Sequence, residues 1–141
     1  MTLDEFKKQY SFNIEGQVEW EEMDAFQHVN NKVYFKYFEK IRINYFENKG
    51  LLGLMEEQQI GPILASTQCR FRVPLSYPDQ IVIGTYLTDF KSDRFLMKYA
   101  VYSLTHEKVA AEGDGAIVCY DYKQNCKTSI PSAILAKLQS E

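Results

Sequence analysis

One stretch narrows the choice of fold more than any other. From Asn31 to Lys49 the apolar residues Val33, Tyr34, Tyr37, Phe38, Ile41, Tyr45 and Phe46 recur at three- and four-residue spacing, while Lys32, Lys36, Glu39, Lys40 and Glu47 mostly fall on the other side. That period belongs to an amphipathic helix, so the spacing predicts one over 31–49. Asn30 or Asn31 can cap its start, and Gly50, followed by Leu51 and Leu52, reads as its stop. So broad an apolar stripe must be covered by another element of the chain.

Elsewhere the period drops to two. After a short connector through Met55 and Gln59, Ile63, Ala65, Thr67, Cys69, Phe71 and Val73 alternate with Ser66, Gln68, Arg70 and Arg72, as in a strand with one wet side. Ser76–Asp79 forms a turn, Ile81–Phe90 a second strand, Lys91–Asp93 another turn, and Arg94–Leu104 and Lys108–Tyr122 two more strands joined at Thr105–Glu107. Phe12–Trp20 is the remaining strand candidate, and Pro131 at a first helical position opens a short terminal helix through Ile134, Leu135 and Leu138. Five antiparallel strands and one long helix bury the stripe only if the sheet curls around it, an α+β architecture. The outer face of the sheet then needs cover, and dimerisation to a homodimer would supply it.

The chain's 141 residues suit one domain spanning 1–141 with a core of its own. Ten Tyr and nine Phe are more rings than a surface tolerates, so they belong in a core, an interface or a ligand groove. Sixteen basic against nineteen acidic side chains leave a formal charge of −3, with no field for gripping nucleic acid. No run of about 18 apolar residues appears, and Asp4, Glu5, Lys7 and Lys8 make Met1–Tyr10 unfit as a secretory signal, so a cytoplasmic protein without a membrane span is expected. Cys69, Cys119 and Cys126 form an odd set without a CxxC pair, which argues for packing rather than disulfides or zinc; no metal or other cofactor is expected. A cysteine nucleophile would need His28 or His106 as its base, and no GxSxG elbow occurs to support a serine hydrolase.

Chemistry concentrates in WEEMDAFQHVNNKVYFKYFE, Trp20–Glu39, where an Asp, a His and two Asn crowd the turn before the helix. The first N–H groups of a helix lack internal acceptors and carry the positive end of its dipole, so the Asn31 amide can polarise a carbonyl oxygen. Asp24, seven residues earlier, can reach the same carbon. A carboxylate opposite an oxyanion donor suits acyl transfer, by direct attack or by taking a proton from water. The bland reading of Asp24 is a carboxylate capping its own turn. His28 either orients Asp24 or water, or is a structural histidine. Tyr34, Tyr37 and Phe38 have simply the spacing of a buried stripe.

Asp24, His28, Val29, Asn30, Asn31, Tyr34, Tyr37, Phe38 and Glu39 form a D-x-x-x-H-V-N-N-x-x-Y-x-x-Y-F-E pattern that resembles the signature of the 4-hydroxybenzoyl-CoA thioesterase-like and YbgC-like acyl-CoA thioesterases. The strand layout from Leu64 to Tyr122 is similar as well. The resemblance implies a hotdog fold, a sheet wrapped around one long helix, in homodimers that often pair into a homotetramer, and hydrolysis of acyl-CoA or acyl-carrier-protein thioesters without a metal. It puts Asp24 in the place of the catalytic carboxylate and the Asn31 N–H in that of the carbonyl-polarising amide, with His28 as a secondary catalytic candidate. It also makes Lys91 and Arg94, otherwise read as a solvated turn, candidate contacts for coenzyme A phosphates, with Arg70 and Arg72 as substitutes.

Two departures shape the alternatives. Phe26 stands where related plant acyl-carrier-protein thioesterases have asparagine, and Arg70 occupies the strand position from which some of these enzymes draw a second carboxylate. Phe26 favours, as a second reading, a hotdog module that binds an acyl chain or carrier protein without turning it over. An enoyl-CoA hydratase, which resembles D-x-N-x-x-H, fits less well, because here three residues separate Asp24 from His28 and the asparagine is missing.

Overall fold

The computed structural model describes residues 1–140. In chain order the elements are α1 (Leu3–Gln9), β1 (Phe12–Gln17), a single 3-10 turn (Trp20–Glu22), α2 (Asn31–Asn48), α3 (Leu51–Gln58), β2 (Ile60–Phe71), β3 (Gln80–Thr88), β4 (Arg94–Ser103), β5 (Lys108–Asp121), the two-residue β6 (Cys126–Lys127) and α4 (Ser132–Gln139). The strands are antiparallel in the order β1-β3-β4-β5-β2, with β6 pairing beside β5. The sheet wraps α2, the α+β arrangement expected from the stripe and the hotdog fold that the resemblance implies.

Each residue of the predicted stripe is buried: Val33, Tyr34, Tyr37, Phe38, Ile41, Tyr45 and Phe46. They meet the inward residues of β3, β4 and β5, among them Ile81, Ile83, Met97, Tyr99, Val101 and Ile117. Phe38 stacks on Tyr99 with ring centroids 4.8 Å apart. This close approach of helix to sheet depends on Gly113, where a Cβ would lie 2.2 Å from the Gln68 carbonyl oxygen and 2.8 Å from the Phe38 ring. Gly50, at φ +68°, ends the helix as expected, in a conformation that costs other residues more. The Tyr45 hydroxyl donates to the Leu138 carbonyl oxygen and so ties α4 to the helix end.

Several features depart from the sequence reading, beginning with α1, to which it assigned no element, and β1, which stops at Gln17 and leaves Trp20 in the 3-10 turn. The connector through Met55 is a helix, α3, that buries Leu51 and Met55. Pro131 is the N-cap of α4, one position before the helix proper. The alternation assigned to β2 breaks at Leu64/Ser66, where Ala65 is an extra residue in the ladder. Because Leu64 pairs with Ile117 and Thr67 with Gly115, two β5 residues on one face, the bulge puts Leu64 rather than Ile63 on the face shared by Thr67, Cys69 and Phe71.

The outer face of the sheet is partly covered by the chain itself. Thr2 caps α1 in a reciprocal capping box with Glu5, and the helix lays Phe6 and Tyr10 over Val82, Ala100 and Tyr102 as a second small core. No helix is long and apolar enough to cross a membrane among the described residues.

Candidate active site

The segment before α2 is a closed loop. Val18 N–H donates to the Asp79 carbonyl oxygen, and the 3-10 turn then leads into an isolated bridge between Met23 and Val29. Asp24 N–H donates to the His28 carbonyl oxygen at 2.8 Å, and Gln27 N–H to the Asp24 carbonyl oxygen at 3.0 Å. With Gln27 at φ 60°, this is a three-residue hairpin whose last loop residue is left-handed, a geometry that sets the chain back on its return path. The loop is pinned from outside by Val29 N–H to Leu75 O at 2.8 Å and by the Ser76 hydroxyl to Gln27 O at 3.0 Å.

Asp24 is half-buried, and its Oδ1 accepts the Phe26 N–H at 2.9 Å. That is the turn-capping role, and it engages one oxygen: among the described residues no hydrogen bond or ion pair reaches Oδ2. Asn30 is the N-cap of α2, accepting the Lys32 N–H on its side-chain oxygen at 3.1 Å. Asn31 is therefore the first helical residue, its N–H has no intrahelical acceptor, and the residue is exposed. The His28 side chain is exposed and makes no hydrogen bond among the described residues; its contribution to the loop is the carbonyl that accepts from Asp24.

Lys91 and Arg94 sit elsewhere. The Asp24 loop adjoins the Leu75–Tyr77 segment, next to the start of β3 at Gln80, whereas Lys91 and Arg94 follow the other end of β3. Nine residues of strand separate the two ends, about 30 Å. Lys91 is exposed, and a groove of about 440 Å³ opens beside it between Phe90, Arg94, Phe95 and Leu96. Arg94 is bidentate on its neighbour Asp93, at 2.9 and 3.1 Å, and the pairing holds the Asp93 carboxyl below its ordinary range. Within one chain the structure thus gathers Asp24, His28 and Asn31 but not Lys91 and Arg94.

Among the described residues no charged or histidine side chain hydrogen-bonds to a cysteine. Burial pushes the Cys69 thiol up to about 11 and raises that of Cys119 as well, the reverse of what a nucleophile needs. His106 is exposed in the β4–β5 hairpin, where its N–H donates to the Ser103 hydroxyl.

Sequence reasoning singled out Phe26 but passed over Glu22 and the exposed rings of Trp20 and Tyr77. The Glu22 side chain is only 7% exposed, while Phe26, at the loop tip, is 83% exposed and Trp20 and Tyr77 also face outward.

Residues 18–138 match the thioesterase-like superfamily, a span that takes in the loop, the whole of the helix it leads into and every strand but the first. The chain belongs to this superfamily. Among its relatives, YsmA of Bacillus subtilis is 37% identical over 71 residues, which is 50% of this chain and 47% of that one, so this match spans about half of each protein. The long-chain acyl-CoA thioesterase FadM of Escherichia coli is 22% identical over 117 residues, 83% of this chain and 89% of FadM. Of solved structures, the PA2801 protein of Pseudomonas aeruginosa superposes with a TM-score of 0.78 at 25% identity, covering 89% of this chain and 95% of its own. Membership, together with acyl-CoA and acyl-carrier-protein thioesterases among the relatives, supports thioester hydrolysis as the general chemistry.

Proposed function

We propose that the protein hydrolyses acyl thioesters of coenzyme A or of an acyl carrier protein at the Asp24 loop. The observation that carries this is that the hydrogen-bonded loop leading into α2 holds a carboxylate whose Oδ2 has no partner among the described residues, just ahead of a first helical amide that likewise has none among them. The carbonyl oxygen of the substrate takes the Asn31 N–H, where charge developing on that oxygen meets the positive end of the helix. Asp24 Oδ2 then acts in one of two ways. As nucleophile it forms a C–O bond to the carbonyl carbon, the C–S bond breaks, the thiolate leaves and is protonated, and water hydrolyses the mixed anhydride. As general base it takes a proton from water while the hydroxyl adds to the carbon, and the proton passes to the departing sulfur. His28 has room at the loop's surface to orient that water.

The nucleotide end of coenzyme A needs cations, and those proposed, Lys91 and Arg94, lie at the far end of the same sheet. A second copy resolves this. β2 is an edge strand of 12 residues, exposed from Ile63 to Gln68, whose outer backbone groups have no partner in the sheet. Two such edges paired antiparallel bring the Lys91–Arg94 turn of one copy towards the Asp24 end of the other.

The test is thiol release from aryl- and fatty-acyl-CoA thioesters by the purified protein, with Asp24→Asn losing at least about a hundredfold in kcat at unchanged fold. Full activity in the variant removes Asp24 from the chemistry. The exposed Phe26, apolar at a loop tip, favours one second reading, a binding module; tight acyl-CoA binding without thiol release from any thioester would select it.

A further inference from the structure

The buried Glu22 carboxylate has no part in the chemistry just described, yet it lies two residues from Asp24. Its Oε1 accepts the Tyr37 hydroxyl at 2.8 Å and the Glu19 N–H at 2.8 Å, and Oε2 lies 3.8 Å from the ammonium of the largely exposed Lys36. Its main-chain carbonyl accepts the Asn30 N–H at 3.0 Å. One residue therefore holds α2 at two points, at the N-cap through its backbone and at Tyr37 through its side chain.

We infer that Glu22 is the positioning residue of the site, setting the Asp24 carboxylate against the Asn31 amide. The two attachments are seven residues apart on the helix, about 10 Å along its axis, and they straddle Asn31. A single attachment would leave the incoming chain free to pivot on the helix; two fix its tilt as well as its position. Everything between Glu22 and Asn30 is then closed on itself by the Met23–Val29 bridge and the Asp24–His28 hydrogen bond, so the placement fixed at Glu22 is passed directly to Asp24. The site tolerates little error, since displacing a reacting group by about 1 Å can cost on the order of a hundredfold in rate. A buried carboxylate is costly where its only purpose is packing. Here its hydrogen bonds connect the two halves of a reacting pair, which is a purpose an apolar side chain cannot serve.

The inference rests on the hydrolase reading for its rate effect but not for its structural effect, and the test separates the two. In the full-length protein, residue-resolved amide exchange is compared among wild type, Glu22→Ala, Glu22→Gln and Tyr37→Phe, alongside kcat and KM for a thioester that the wild type cleaves. Glu22→Ala is expected to speed exchange at the Asp24 and Asn30 amides while Ile41 and Tyr99 stay protected. It should also lower kcat about tenfold or more with KM within about threefold. Glu22→Gln keeps an acceptor for both donors and should restore most of kcat, a rescue that general loss of stability would not give. Tyr37→Phe, the milder cut, should move exchange and kcat in the same direction as Glu22→Ala, and it serves where that variant does not fold. Unchanged exchange at Asp24 and Asn30 in either cut, unchanged kcat in a folded one, or a Gln variant as impaired as Ala would overturn the inference. A wild type that releases no thiol would defeat the hydrolase reading alone, leaving the exchange comparison to decide the role of Glu22.

Discussion

Replacing Asn30 with aspartate separates stability from chemistry at the helix start. The Asn30 side-chain oxygen accepts the Lys32 N–H at 3.1 Å, and a carboxylate of the same length can keep that bond. Placed at the positive end of α2 the new charge is favourable to the helix by about 0.3–1 kcal/mol, so Asn30→Asp should melt at or slightly above the wild-type temperature. The thioester oxygen sees the opposite. If it sits one hydrogen bond from the Asn31 N–H, two short bonds on adjacent amides place it about 6 Å from the introduced carboxylate. At an effective dielectric constant between about 20 and 40, two unit negative charges at that distance repel by about 1.4–2.8 kcal/mol. The charge on the oxygen develops mainly in the transition state, so the penalty falls on kcat and amounts to about 10- to 100-fold. The assay is steady-state thiol release with Asn30→Asp and Asn30→Ala side by side. The alanine variant loses about 1 kcal/mol of stability with the smaller effect on kcat. An aspartate variant that is stable and turns over as fast as wild type would mean that the Asn31 amide does not face the developing charge, and the oxyanion assignment would fall.

Lys91→Ala combined with Arg94→Ala should raise KM several-fold for acyl-CoA and leave it unchanged for the same acyl group on a short pantetheine mimic, which carries no nucleotide. Equal KM effects on both substrates would remove these residues from the nucleotide end. At about pH 8 a thiol alkylating reagent should modify the exposed Cys126 first and leave Cys69 largely untouched, since a thiol raised to about 11 holds only on the order of a thousandth of its population as thiolate; peptide mapping reads this out. Burial raises the Tyr10 phenol to about 12 and also raises Tyr34, Tyr37, Tyr45 and Tyr99. The unfolded chain releases these protons near about pH 10 while the folded chain keeps them, so the stability they contribute is complete below that pH and is lost as pH rises through the folded values. Thermal melts should be level in this respect up to about pH 9.5 and fall steeply from there to about pH 12; a flat profile across that range would contradict the burial of these hydroxyls.

The helix at the centre of the fold was legible because its stripe is long, its period unmixed, and its cap and stop residues stand where α2 begins and ends. The elements that escaped are short or irregular. Helix α1 has few apolar residues to bury, Leu3 and Phe6 with Tyr10 at its end, amid charged residues, and Thr2 and Glu5 were its one readable signal, three residues apart as a capping box requires. Helix α3 carries Gly53 near its start, which weakens the helical reading of its eight residues. The bulge at Ala65 leaves no mark in composition, because one inserted residue changes which side chains face inward without changing what they are.

The candidate site divides along the same line between local and distant. Asp24, Asn30 and Asn31 are neighbours in sequence, so their meeting at the head of a helix follows from local rules of loop and cap. Glu22 is as near, but it stands in a run of acids, Glu19, Glu21 and Glu22, whose members look alike until the 3-10 turn rotates one of them under Tyr37. Lys91 and Arg94 are the harder case, because a strand of nine residues lies between them and the Asp24 end. No spacing rule within one chain can join groups that the sheet holds a strand's length apart. If both ends contact one coenzyme A, the joining element is the pairing of two copies along β2. A variant that blocks this edge, such as Thr67→Pro on a strand that must then forgo a backbone donor, should lose the dimer by light scattering and raise KM for acyl-CoA together. Loss of the dimer with unchanged KM would return Lys91 and Arg94 to the status of a solvated turn.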